Sequence, residues 1–99
     1  MLTNHEIGEV LELEVGPAFL PGFHRDDIAC FTHIRPVLLA MGCVLDEVCN
    51  CTVVYVYDRF GKEIIANENT YATALCHALT YVYEHRRDEL ARAVEEVKK

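Results

Sequence analysis

Cys51-Thr52-Val53-Val54-Tyr55-Val56-Tyr57-Asp58-Arg59-Phe60-Gly61-Lys62-Glu63-Ile64-Ile65-Ala66 is the stretch that decides the fold. Its first half has period two: Cys51, Val53, Tyr55 and Tyr57 would face one side, and Thr52, Val54, Val56 and Asp58 the other. β-Branched and aromatic residues dominate it, as a pleated surface prefers. Asp58-Arg59-Phe60-Gly61 reads as a tight hairpin loop, with Gly61 supplying a positive φ, and residues 62–66 as the return strand. A two-stranded hairpin is marginal by itself, so a short strand near 44–48, or the N-terminal segment, is expected to complete the sheet. Asp46-Glu47 reads as a turn before the strand.

Helical periodicity surrounds this hairpin. After it, Asn67-Glu68-Asn69-Thr70 reads as a turn ending in an N-cap, followed by one helix from Tyr71 to about Lys98. Ala72, Leu75, Cys76, Leu79, Val82 and Tyr83 form its core stripe, and Ala74, Ala78 and Tyr81 a smaller second face. Residues 86–99 are charge-rich, with Asp88–Arg92 and Glu95–Lys99 at supportive i,i+4 spacing, and read as a solvated arm. Before the hairpin, Asp26 or Asp27 caps a helix carrying Phe31, Ile34, Leu38 and Met41 on one stripe. Pro36 is expected to kink or divide it, and Gly42 to cap its end. Residues 5–15 fit two templates. A helix puts Ile7, Val10 and Leu11 opposite Glu6, Glu9 and Glu12; a strand alternates Leu11, Leu13 and Val15 with Glu12 and Glu14. The plausible N-cap at Thr3-Asn4 favours the helix. The class expected is α+β, one domain over 1–99, with helices flanking a small antiparallel sheet and a long C-terminal helix.

Composition narrows the function. More than half of the 99 residues are apolar, which argues for a packed core. The apolar run at 37–45 is far short of the ~20 residues a membrane helix needs. The N-terminus lacks the basic and apolar regions of a signal peptide, so a cytoplasmic protein is expected. The net charge is −7, and residues 1–27 hold six acids against Arg25 alone. A field of that sign repels phosphate backbones and attracts basic surfaces, which disfavours direct nucleic-acid binding.

Serine is absent, which removes serine-nucleophile chemistry. Five cysteines, Cys30, Cys43, Cys49, Cys51 and Cys76, lack the spacing of a disulfide framework and read as small apolar residues. Cys30 with His33, three apart on a helix, and Cys49 with Cys51 are the nearest to metal-ligand pairs, but the second pair is one residue too tight for a structural zinc site. Cys30 with His33, oriented by Asp26 or Asp27, is also the best-placed thiol and imidazole for nucleophilic catalysis. Buried thiols and a helix cap account for the same residues, so neither a metal, a cofactor nor an enzyme is expected.

Asp27-Ile28-Ala29 opening the second helix, Glu9-Val10-Leu11-Glu12-Leu13-Glu14, and above all Asn69-Thr70-Tyr71-Ala72-Thr73-Ala74-Leu75-Cys76-His77-Ala78-Leu79 resemble the phage ABA-sandwich domain family. The last of these is similar to that family's closing helix. The resemblance covers residues 5–83. Pro17 and Pro36 interrupt where the family keeps helix, and the helix after Glu84 is longer. It implies a small phage accessory protein of the host cytoplasm with no catalytic residues to carry over. The expectation that follows is a non-catalytic, acidic protein-interaction module, such as an anti-CRISPR-like inhibitor of a host nucleic-acid-binding defence complex. Its partner is expected to be a protein with a basic surface, met by Glu6, Glu9, Glu12, Asp26, Asp27 and the hairpin-tip Phe60. The rival is a self-assembling protein, a homodimer pairing through Leu90, Val94 and Val97.

Overall fold

A computed structural model of the chain describes residues 1–58 and 60–99. In order it has α1 (Asn4–Val10), a 3-10 turn (Pro17–Phe19), α2 (Asp27–Ala29), a π-helical stretch (Cys30–Ile34) and α3 (Arg35–Ala40). Then come β1 (Cys43–Val48), β2 (Cys51–Asp58), β3 (Gly61–Glu68), α4 (Tyr71–His85) and α5 (Arg87–Lys98). The class is α+β, and the strands form one antiparallel meander in the order β1-β2-β3.

The period-two pattern of β2 sets the layers. Val54 and Val56 are buried, and their partners Ala66 and Cys43 join them in the core beneath the sheet. Cys51, Val53, Tyr55 and Tyr57 point the other way. β1 is the third strand expected near 44–48, but it contains Asp46 and Glu47, which therefore do not form a turn. The reversal falls at Cys49-Asn50, where Cys49 adopts φ +56°. Gly61 has the positive φ expected of it, at +118°. Arg59 of the expected hairpin loop lies outside the described residues. β3 gains one unpaired residue, Ile65, between the Val54–Ala66 and Tyr55–Ile64 pairs, a β-bulge.

The first segment is a helix where its cap allows one. The Thr3 hydroxyl accepts from the Glu6 amide and the Glu6 carboxylate accepts from the Thr3 amide, a reciprocal capping box. At the other end the Leu13 amide donates to the Gly8 carbonyl and Glu12 to Glu9. This Schellman closure puts Glu12 at φ +54°, a place usually taken by glycine.

Pro36 shapes the next helix in a way its stripe did not reveal. Its nitrogen has no proton to donate, and the chain meets this with a wide turn in which the Arg35 amide reaches back to the Cys30 carbonyl. Pro36 then lies in the first turn of α3, where no donor is required. The extra residue shifts the helical phase upstream, so Cys30 and Ile34 point inward and Phe31 does not. Phe31 is 56% exposed, with the Arg35 guanidinium 4.9 Å from its ring centre. The inward stripe is Cys30, Ile34, Val37 and Leu38.

α4 is the central helix, with Ala72, Ala74, Leu75, Cys76, Ala78, Leu79 and Val82 all buried. Thr70 caps it, accepting from the Thr73 amide. The Asp27 carboxylate accepts from the Ala72 amide at 3.0 Å and ties the two helical segments together. The expected continuous helix does not form. The chain bends at Arg86 (φ −139°, ψ 46°), and α5 returns to pack on α3 and α4. Neither glycine nor proline marks the bend; burial drives it, since a straight helix would carry Leu90, Ala93 and Val94 into water. The segment 86–99 is thus part of the core and not an arm. Leu90 and Val94 are fully enclosed by this chain, which leaves Val97 as the exposed member of the stripe assigned to dimerisation.

Because Leu90 is a core residue at 2% exposure, Leu90→Ala is expected to lower the unfolding free energy by about 2–4 kcal/mol. Urea denaturation measures it; a loss under ~0.5 kcal/mol, the value for a surface site, would restore the arm.

Candidate functional site

Two surfaces stand out: a small cleft under α1 edged by acids, and the side of the sheet that none of the described helices covers. Gly8 lies at the floor of the cleft, where a Cβ would come within 2.9 Å of the end of the Leu20 side chain, so glycine leaves Leu20 room against α1. The 17–23 loop is fixed by Asn4, whose Oδ1 accepts from the Phe23 amide, and by His24, which contacts the Leu2 carbonyl at 2.8 Å. The resulting cleft, about 170 Å³, is lined by Leu13, Val15 and Leu20 with His5, Glu9 and Glu12 around them.

The six residues assigned to a basic partner fall into different roles. Glu6 is engaged in the capping box, and the hydrogen bond from the Thr3 amide holds its carboxyl below the usual range. Asp26 caps α2 by accepting from the Ala29 amide, and Asp27 accepts from Ala72. Glu9 pairs with His5 at 2.9 Å and Glu12 with Lys98 at 3.4 Å, both on well-exposed side chains. Such pairs contribute between nothing and about 1 kcal/mol, so both carboxylates can exchange partners. Phe60 stands at the β2–β3 tip, 85% exposed. The structure therefore brings Glu9 and Glu12 to one cleft and assigns internal hydrogen bonds to Glu6, Asp26 and Asp27. Of the residues that make the cleft apolar, Leu13 and Val15 were read from sequence only as one face of an alternative strand, and Leu20 was not singled out.

The thiol and imidazole do not converge. The Cys30 thiol points into the core and donates to the Phe23 carbonyl at 3.0 Å. Its hydrogen bond with the Cys76 thiol, and then burial, push its pKa far up, against the thiolate a nucleophile needs. His33 sits edge-on to the Phe23 ring, 6.3 Å between centres. Cys49 is exposed at its turn, and the Cys51 thiol lies 3.5 Å from Asn69 Oδ1. Among the described residues no three His, Cys, Asp or Glu side chains are placed to hold a metal ion, and no helix is long and apolar enough to cross a membrane.

The uncovered side of the sheet follows from the strand register. Val44, Tyr55 and Ile64 form one outward row, and Asp46, Val53 and Asn67 the next. Val48 and Cys51 extend it at one end, Tyr57 and Lys62 at the other. Tyr55 lies at the centre. Its hydroxyl donates to Asp46 at 2.9 Å, Lys62 lies 4.1 Å above its ring, and Tyr57 meets it edge-on. Beneath β3, the opposite side is tied to α4 by the Tyr81 hydroxyl donating to Glu63 at 2.7 Å and by the His77–Glu68 pair.

The hydrogen bond to Asp46 pushes the Tyr55 phenol up to about 12. The protonated phenol is the form the fold favours, so this contribution is present below pH ~10 and is lost as pH rises towards 12. Ultraviolet titration of Asp46→Asn is expected to move one tyrosine back towards 10. An unchanged titration curve would remove the hydrogen bond as the cause. No family model, curated protein or solved structure matches the chain, and the likeness to the phage ABA-sandwich family stays an expectation of the sequence.

Proposed function

We propose that this chain is a non-catalytic interaction module that docks on a basic protein surface through α1 and the cleft beneath it. The observation that carries the reading is the cleft itself. An apolar lining of Leu13, Val15 and Leu20 suits the methylene stem of an arginine or lysine, and Glu9 and Glu12 stand where its cation would emerge. The volume of about 170 Å³ suits one such side chain. The net charge of −7 extends the same preference over the molecule and steers a cationic partner towards it. A nucleic-acid-binding complex, whose working groove is basic, is a partner of this kind, and inhibition by occupying such a groove is the anti-CRISPR-like form of the proposal.

Affinity capture from cell lysate at low salt, with the native chain and with Glu9→Lys/Glu12→Lys, tests it. The native chain is expected to retain basic proteins that salt releases, and the double reversal to bind them at least about tenfold more weakly, a difference of ~1.4 kcal/mol. Retention of the same proteins at equal strength by the double variant would remove the α1 cleft as the docking site.

A further inference from the structure

We propose that the open side of the sheet seats the same side of a second copy of this chain. The proposal is independent of the basic partner and uses a different surface.

Its first support is exposure. Val48, Tyr57 and Ile64 are 54%, 62% and 56% exposed, and they share one plane with half-buried Val44, Cys51 and Val53. The helices packed on the sheet, α3 and α4, lie on its other side, where Cys43, Val54, Val56 and Ala66 are buried.

Charge identifies the occupant. Among the described residues the outward rows carry one acid, Asp46, and one base, Lys62, and both are folded onto Tyr55. The face is thus close to neutral on a molecule of net charge −7. A basic partner gains nothing from it, whereas a second copy meets here the least repulsion. A two-fold axis running along the strands lays β1 of one copy over β3 of the other and keeps each row at its own level, so Asp46 of each copy meets the uncharged Asn67 of its partner. A self-complementary patch of this kind is what an isologous dimer requires. Face-to-face sheets sit about 10 Å apart, the separation at which valine, isoleucine and tyrosine side chains interdigitate.

Area sets the strength. Strands of six to eight residues spaced as in any sheet give a patch roughly 20 by 15 Å. That is below the ~800 Å² per partner of a standard interface, so the dimer is a weak, reversible one.

Sedimentation equilibrium up to about 1 mM at two salt concentrations tests the proposal. The expected result is a reversible dimer that tightens as salt rises, by a factor on the order of ten, because screening relieves the repulsion of two anions. Docking on a basic partner through the cleft weakens with salt, so the two readings fail separately. Val48→Thr/Tyr57→Thr/Ile64→Thr keeps charge and strand preference and is expected to weaken the dimer at least tenfold. Val97→Thr, at an exposed site on α5, is expected to leave it unchanged. Circular dichroism establishes that each variant is folded. A chain that stays monomeric at 1 mM in high salt, or a dimer that the triple variant leaves intact, overturns the proposal.

Discussion

The Asp27 carboxylate accepts the Ala72 amide across 45 positions of sequence, and that contact sets the helical layer in place. The first turn of α4 has amides with no partner inside the helix. Thr70 satisfies the one at Thr73, and Asp27 the one at Ala72. By doing so Asp27 lays the π-helical stretch that follows it along α4, where Cys30 meets Cys76 and Ile34 is sealed. α4 then has the sheet on one side and the 27–40 segment on the other. That double enclosure explains why alanines recur at 72, 74 and 78: a larger side chain would hold the layers apart.

What was legible in the sequence was what local rules decide. Period-two alternation in β2 gave the sheet and its two sides. Thr3, Asp26, Thr70 and Gly42 were recognisable as caps because short polar side chains and glycine solve the end of a helix in few ways. What escaped was decided between elements. The bend at Arg86 has no residue signal; it exists because Leu90, Ala93 and Val94 gain more from α3 than from water. Pro36 announced a disturbance, but the choice of a wide turn, and with it the exchange of Phe31 for Cys30, depends on what lies beneath the helix. Asp46-Glu47 has turn-like composition and sits in a strand because β2 offers it a partner.

The acidic residues divide in the same manner. Sequence put Glu6, Glu9, Glu12, Asp26 and Asp27 in one group by charge. Geometry separates those whose oxygens accept backbone hydrogen bonds from those that face an exposed His5 or Lys98. A carboxylate that accepts a backbone amide is bound to its own fold. One that faces an exposed cation keeps its charge available, and Glu12 does so from a backbone conformation that costs a non-glycine residue on the order of 1 kcal/mol.

Chain length accounts for the remaining surface. Three strands have two faces, and the described helical segments of this chain of 99 residues close only one. Small domains are limited in this way because surface grows relative to volume as a chain shortens. Among the described residues the exposed face is not strongly charged, as a face meant only for water usually is; it carries one acid and one base, and both are drawn onto Tyr55. With Asp46, Lys62 and Tyr57 against it that ring is 7% exposed, while Tyr57 and Ile64 beside it stay open. The surface open to contact is therefore Val48, Tyr57 and Ile64, with Tyr55 fixed beneath Asp46 and Lys62 as their support. The two proposals thus draw on surfaces of opposite character, a cleft edged by acids for a cation and a near-neutral plane for a second copy, and rising ionic strength would weaken the first and strengthen the second.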